Sequence, residues 1–268
     1  MIKIDIDAKL DRDAAVIIID VGNTSTRVAT WHEQTVKAPL TAPTGAPGEL
    51  AGVLDAHMKD CPTGKPAAVV LASVVPEAIE EIASLVSERL GKDALVVGGR
   101  VALPIDVGVK DPTKIGVDRV CAAAAAYEQV QAGCIVVDFG SAVTVDLVDD
   151  DGMLLGGAIL PGMWMQLRAL HEFTAALPAV EPATTELPYG RDTSEAMQAG
   201  VCRGICGAVR SLVEGYANHL NRWPQVLATG GDLLLMMPQC DYIDTAVTDL
   251  VLRGVGVAYS KHIASMDG

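Results

Sequence analysis

The stretch that most constrains this chain is VIIIDVGNTSTRVAT, residues 16–30. Four β-branched residues lead into Asp20, and Gly22 with Asn23 tolerates the backbone angles of a tight reversal. The polar run Asn23–Thr26 then returns into a second apolar strand. The pattern recurs 118 positions later (138 minus 20) as CIVVDFGSAVTVDLV, residues 134–148. Laid together, Asp20 meets Asp138, Gly22 meets Gly140, Asn23 meets Ser141 and Thr26 meets Thr144. Two acid-x-glycine hairpins, each after a buried strand, predict two similar lobes facing one ligand.

Such a pair favours nucleotide chemistry. Glycine lets backbone N–H groups approach a phosphate chain closely, and hydroxyls and an amide in the turn add donors. A carboxylate at a strand end repels phosphate, but it suits Mg²⁺, which takes oxygen ligands and shares them with nucleotide phosphates. The plainer alternative is that each Asp caps a turn and each Gly serves a hairpin; the duplication favours the nucleotide reading.

At 268 residues there is room for one large domain or two ordinary ones, and half the residues are hydrophobic. With two Phe, three Trp and five Tyr, the core falls to Ala, Val, Leu and Ile. A net charge of −14 argues against a nucleic-acid partner, whose phosphates need Lys and Arg, and leaves an anionic substrate to locally placed cations or backbone donors. The six cysteines form no C-x-x-C pair; Cys202 and Cys206 stand one helical turn apart, and buried free thiols are expected rather than zinc or disulfides. The N-terminal MIKIDIDAKLDRDAA alternates charges without a signal peptide's apolar core, and no apolar run approaches the ~18 residues of a membrane span. A cytoplasmic protein with no membrane partner is expected.

Residues 1–13 read as a charged lead-in that pairs as an edge strand or stays mobile, and 39–48 (PLTAPTGAPG) as loop. Strands are expected at 67–75 and 94–99. Between them Pro76 opens a helix with Ile79, Ile82, Leu85, Val86 and Leu90 on one face and Gly91 as its stop. Strand–helix–strand order indicates an α/β lobe. An alanine-rich helix begins near Asp118, which places the lobe boundary at about 133, giving lobes 1–133 and 134–268. The second lobe holds a strand at 153–162, a helix carrying Leu167, Leu170, Phe173 and Leu177, and a long helix opened by an Asp192–Glu195 capping box. Gly200, Gly204 and Ala208 share one face of that helix and suit close packing, either within the lobe or at a subunit interface. QVLATGGDLL, 225–234, reads as a strand, a Gly-Gly turn with Asp232 and a helix; it either seats a nucleoside or is an ordinary turn.

The motifs DVGNT (20–24), GVDR (116–119), DFGSAVT (138–144), GGAILPG (156–162), DTSEAMQAG (192–200) and ATGGD (228–232) occur in order over nearly the whole chain, and the set resembles type III pantothenate kinase. That resemblance implies the α/β, two-lobed, ribonuclease H-like fold of actin-like ATPases and sugar kinases, each lobe a mixed sheet flanked by helices. It implies ATP-dependent phosphorylation of pantothenate to 4′-phosphopantothenate, opening coenzyme A synthesis, by a homodimer that uses Mg²⁺ and a monovalent cation, K⁺ or NH₄⁺.

By the same resemblance, Asp20, Val21, Gly22, Asn23, Thr24, Ser25, Thr26 and Arg27 form the ATP phosphate loop, with Asp20 near Mg²⁺. Gly116, Val117, Asp118 and Arg119 bind pantothenate, with Asp118 the catalytic base and Arg119 suited to the substrate carboxylate. Asp138 holds the monovalent cation, Ser141 touches ATP, and Thr193 contacts substrate, in this family that of the neighbouring subunit. Arg27, Asp232 and the 156–162 turn are read equally as structure or function.

The chain departs from the family pattern at Ser141 (usually Thr), at Val109 (usually an aromatic) and at Asp111-Pro112 (usually Asn-Pro). Val109 keeps open a kinase or phosphohydrolase acting on another small substrate. A third alternative, a catalytically silent nucleotide-binding regulator, is opposed by the retention of Asp20, Asp118 and Asp138.

Overall fold

A computed structural model describes residues 14–266 of the chain, so the charged lead-in at 1–13 lies outside the described residues. In chain order the elements are β1 (Val16–Val21), β2 (Ser25–His32), β3 (Thr35–Pro43), α1 (Pro47–Lys59), β4 (Val69–Ser73), α2 (Pro76–Leu90), β5 (Ala94–Val96), β6 (Asp106–Val107) and α3 (Val117–Val130). There follow β7 (Cys134–Phe139), β8 (Ala142–Val148), β9 (Met153–Pro161), α4 (Met163–Glu172), α5 (Thr193–Leu220), β10 (Gln225–Thr229), α6 (Leu233–Met236), β11 (Thr245–Ala246) and α7 (Leu250–Met266). The chain divides into two compact units. The first takes the described residues up to Pro104, Gly116–Cys121 and those from Val251 onward; the second takes Ile105–Ile115 and Ala122–Leu250.

The first unit holds a sheet of order β3-β2-β1-β4-β5, antiparallel across β1, β2 and β3 and parallel from β1 through β4 to β5. The second holds β11-β10-β7-β8-β9-β6, antiparallel across β7, β8 and β9 and parallel from β7 through β10 to β11. Read from the first strand of each, the two sheets share one order, with β6 an addition paired parallel to β9. Side chains alternate across a pleated strand. Ile17, Ile19 and Val21 therefore enter the apolar cluster that takes Leu50 and Leu54 from α1 and Ile82 and Val86 from α2. Ile135, Val137 and Phe139 do the same with Leu167 of α4 and Val201, Ile205 and Val209 of α5. Asp20 and Asp138 fall on the opposite face of their strands from these clusters.

The first hairpin is one residue longer than the second. Three residues, 22–24, separate β1 from β2, and two, 140–141, separate β7 from β8. Asp20 consequently stands across from Arg27 and Asp138 across from Thr144. This corrects the alignment of Thr26 with Thr144: Thr26 is buried opposite Val21, in the place that Val143 occupies opposite Phe139.

Residues 39–43, expected as loop, complete β3. β3 is an edge strand, where a proline's missing donor costs no ladder bond on the open side. The extra residue at Ala38 (φ +51°), before Pro39, is taken up where the pairing shifts between Val28 and Thr30. Pro47 opens α1, a helix absent from the sequence reading. Pro76 and Gly91 bound α2 as expected, with Gly91 left-handed at φ +61°. α4 ends at Glu172, so Phe173 is not on the buried stripe and is 85% exposed; Leu177 packs on the core from beyond the helix.

Candidate active site

In the first unit the β1–β2 turn is held from outside the hairpin. Gly22 N–H donates to Ser25 O (3.0 Å), Thr44 N–H donates to Thr24 O (3.1 Å), and Thr44 Oγ1 donates to Gly22 O (2.8 Å). Thr26 Oγ1 lies 3.0 Å from Thr44 Oγ1, so this hydroxyl is committed to the strap. Val21 is buried in the core and contributes backbone alone to the turn; Asn23 and Thr24 are exposed; Asp20, Gly22, Ser25 and Arg27 are half-buried. Thr44 carries no motif signal, because its role depends on β3 folding back beside β2.

Asp118 sits in the first turn of α3, in the same unit. Its Oδ1 accepts the Arg119 N–H at 2.7 Å. Burial raises its pKa above the ordinary 3.8, opposed by the Arg119 backbone and charge. A Cβ at Gly116 would stand 2.5 Å from Asp118 Oδ1, so a side chain there would push the Asp118 carboxylate out of its present position. The fully buried Cys121 thiol is pushed up by burial, then by the charges of Asp20 and Asp118. One thiol thus lies within electrostatic reach of both acids, which the sequence separates by 98 positions (118 minus 20).

In the second unit three glycine turns gather around Asp138. Gly140 N–H donates to Ala142 O (3.1 Å), and a Cβ at 140 would stand 3.3 Å from Asp138 Oδ1. Gly162 N–H donates to Ser141 O (3.1 Å), and a Cβ there would collide with the Gly140 and Ser141 carbonyls. Gly230, at φ +106°, lies against Phe139 O and Asp138 Oδ1, while Asp232 N–H donates to Phe139 O (2.8 Å). Burial raises the Asp232 carboxyl above its ordinary range. Ser141 is exposed at the tip of its turn. The structure therefore joins the 138–144, 156–162 and 228–232 motifs into a single backbone-lined cradle.

Thr193, exposed, opens α5 behind its N-cap, Asp192, whose side chain accepts the Glu195 N–H at 2.8 Å. The return half of the capping box differs from expectation: Glu195 Oε2 accepts from Arg191 N (2.8 Å), and the Arg191 guanidinium grips both carboxylate oxygens. Thr193 lines an open hollow of about 350 Å³ with Gln166, Leu170, Leu177, Met197 and Gly200. Val109 meets the backbone of Gly156, with its Cγ1 3.4 Å from where a Cβ would stand. Asp111 caps a short 3-10 turn by accepting from Thr113 N (3.2 Å) and Oγ1 (2.6 Å).

The donor set suits a hydrated, phosphate-bridging cation. Its carboxylate oxygens, at Asp20 in one unit and Asp138 in the other, are the ligand type that Mg²⁺ takes while it keeps waters and shares phosphate oxygens.

Two mixed sheets of one strand order, each with an acid before a glycine turn, define the actin-like ATPase fold. The fold matches an archaeal actin homologue (TM-score 0.51, 12% identity, 92% of this chain and 99% of that one). It also matches a conserved candidate transcriptional activator of the Baf family from Campylobacter jejuni (TM-score 0.60, 18% identity, 94% and 98%). The sequence profile of type III pantothenate kinases matches residues 16–215. A type III pantothenate kinase of Syntrophotalea carbinolica is 32% identical over 260 residues, spanning 92% of this chain and 99% of the relative. The chain belongs to the type III pantothenate kinase family.

Among the described residues no helix is long and apolar enough to cross a membrane.

Proposed function

We propose that this chain phosphorylates pantothenate with Asp118 as the general base, and that its two glycine-bent hairpins hold the phosphates of ATP. The activity is ATP-dependent conversion of pantothenate to 4′-phosphopantothenate, with release of ADP, opening coenzyme A biosynthesis. The observation that carries the assignment of the base is Asp118 itself: a desolvated carboxyl at the start of α3, in the same electrostatic environment as Asp20.

Phosphoryl transfer is mainly positioning and charge stabilisation, with one carboxylate orienting the attacking hydroxyl. Asp118 accepts the proton of the primary alcohol as its oxygen attacks the γ-phosphorus. Its raised pKa brings it nearer the range where a carboxylate works as a base. Arg119, with Gly116 and Val117, holds the pantothenate carboxylate end, and Thr193 contributes a hydroxyl. The backbone from Asp20 to Arg27 and the exposed Ser141 bind phosphate oxygens. Asp20 would hold Mg²⁺, which when bound neutralises charge on the phosphates; Asp138 would hold a monovalent cation, K⁺ or NH₄⁺.

The protein acts in the cytoplasm as a homodimer, with α5 at the seam. In support, Gly200 and Gly204 are exposed on α5, and neither would meet another atom within 4 Å if it carried a Cβ.

Incubation with ATP, Mg²⁺ and K⁺, with and without pantothenate, tests the reading. ADP release is expected to depend on pantothenate and to fall when K⁺ is replaced by Li⁺. Release that ignores pantothenate would assign the site to another small substrate or to hydrolysis.

A further inference from the structure

Three thiols meet in the second unit, and the phosphoryl transfer described above uses none of them. Cys202 and Cys206 lie one turn apart on α5, and Cys240 follows the short helical segment after the Gly230–Asp232 turn; all three are free and buried. The Cys240 and Cys206 sulfurs are 3.0 Å apart. A disulfide bond is about 2.05 Å long, so the two need to close by about one ångström. The backbone is already held for this: Tyr242 Oη donates to Cys206 O at 2.9 Å and ties the segment after Cys240 to α5. The flanking thiols, Cys202 and Cys240, are drawn below the usual thiol range by hydrogen bonding to Cys206, which retains its proton. Thiolate character at the flank beside a protonated neighbour is the arrangement of an attacking and a resolving cysteine.

We propose that Cys206 and Cys240 are a redox-modification site, forming a reversible disulfide that tethers α5 to the chain leaving the Gly-Gly-Asp turn. With hydrogen peroxide as oxidant, the Cys240 thiolate attacks one peroxide oxygen. The O–O bond breaks and the departing hydroxide takes up a proton as water, leaving a sulfenic acid. The Cys206 sulfur then attacks the oxidised sulfur, the S–O bond breaks and a second water leaves with the Cys206 proton. Two thiols lose two electrons and two protons, and the peroxide is reduced to two waters. The bond closes a loop spanning 34 positions that carries β10 and the Gly230–Asp232 turn. It rests on the geometry of this unit alone, independently of the kinase assignment.

The test is a peptide map of the reduced full-length protein after graded peroxide treatment under native conditions, followed by alkylation in denaturant. Expected are an intact mass lower by two hydrogen atoms, a fall in titratable thiols from six to four, and a cross-linked peptide joining residues 206 and 240 that dithiothreitol dissolves. The Cys240→Ala variant is expected to lack that peptide. The wild-type map decides the matter even if the variant does not fold. Thiols that stay reduced, sulfinic acid at a single cysteine, or a bridge through any other pair overturns the proposal.

Discussion

Gly230 lies against Asp138: a Cβ added at position 230 would stand 2.5 Å from the Asp138 carboxylate, and the backbone there is at φ +106°. The sequence separates the two by 92 positions (230 minus 138), yet β10 and β7 pair in parallel with Thr229 directly beside Asp138. Alanine at 230 meets both the strain of a left-handed angle and a collision with the Phe139 carbonyl. Gly230→Ala is expected to lower stability by roughly 1–3 kcal/mol and turnover by at least about tenfold. Thermal melts and ADP formation measure both; a variant as stable and as active as wild type would remove the cradle from the site.

Asp118→Asn keeps the shape of the side chain and removes the proposed base. Turnover should fall on the order of 100- to 10,000-fold, while a folded chain is retained. The pH sign follows from burial. The folded pKa lies above the ordinary 3.8, so the contribution of Asp118 to stability is greatest at acid pH and is lost as pH rises through the folded value. The asparagine variant should therefore match or exceed wild type in stability at neutral pH and lose that advantage in acid. On the kinetic side, the acidic limb of kcat/KM should fall at a pH above that of an ordinary carboxylate and be absent from the variant's residual activity.

Thr44 straps the β1–β2 turn, the proposed phosphate loop, through Gly22 O and Thr26 Oγ1. Thr44→Val preserves the branched shape and leaves those partners unsatisfied, at a cost of about 1–3 kcal/mol. The KM for ATP is expected to rise several-fold, with the KM for pantothenate little changed. Equal changes in both would mean that the strap serves the whole unit rather than the turn.

His57, on α1, is buried against β2. Its Nδ1 is 3.1 Å from Thr30 Oγ1 and its Nε2 is 3.2 Å from Val28 O. Burial is the largest influence on it and lowers its pKa from 6.5. The unfolded chain therefore takes up the proton first, and stability is lost as pH falls from about 6.5 through the folded value. Melting temperatures between pH 7.5 and 5.5 should decline in wild type more than in His57→Gln; parallel declines would dissociate the effect from this residue.

Much of the site can be read directly from the chain, because its signals are local. A β-branched run, an acid and a glycine within seven residues specify a strand and its turn. Pro76 and Gly91 bound a helix by the backbone angles they favour. The duplication of the hairpins, read from residues 16–30 and 134–148, foreshadowed two sheets of one strand order. Pro39 and Pro43 misled locally, since whether a proline ends a strand depends on which side of the sheet lies open, and that is settled by strand order. The one-residue difference between the hairpins was likewise hidden, because register is fixed by ladder pairing and not by residue type.

The sequence by itself determined the family, the acids Asp20, Asp118 and Asp138, and the glycine turns that accompany them, since each rests on neighbours a few positions away. Tertiary structure alone decided that Gly162 closes on the Gly140–Ser141 turn and Gly230 on Asp138, that Thr44 holds the first turn, and that Cys240 arrives beside Cys206. Those juxtapositions arise from strands and helices pairing across tens to hundreds of residues, where packing and hydrogen-bond register choose the partners and no local pattern encodes them.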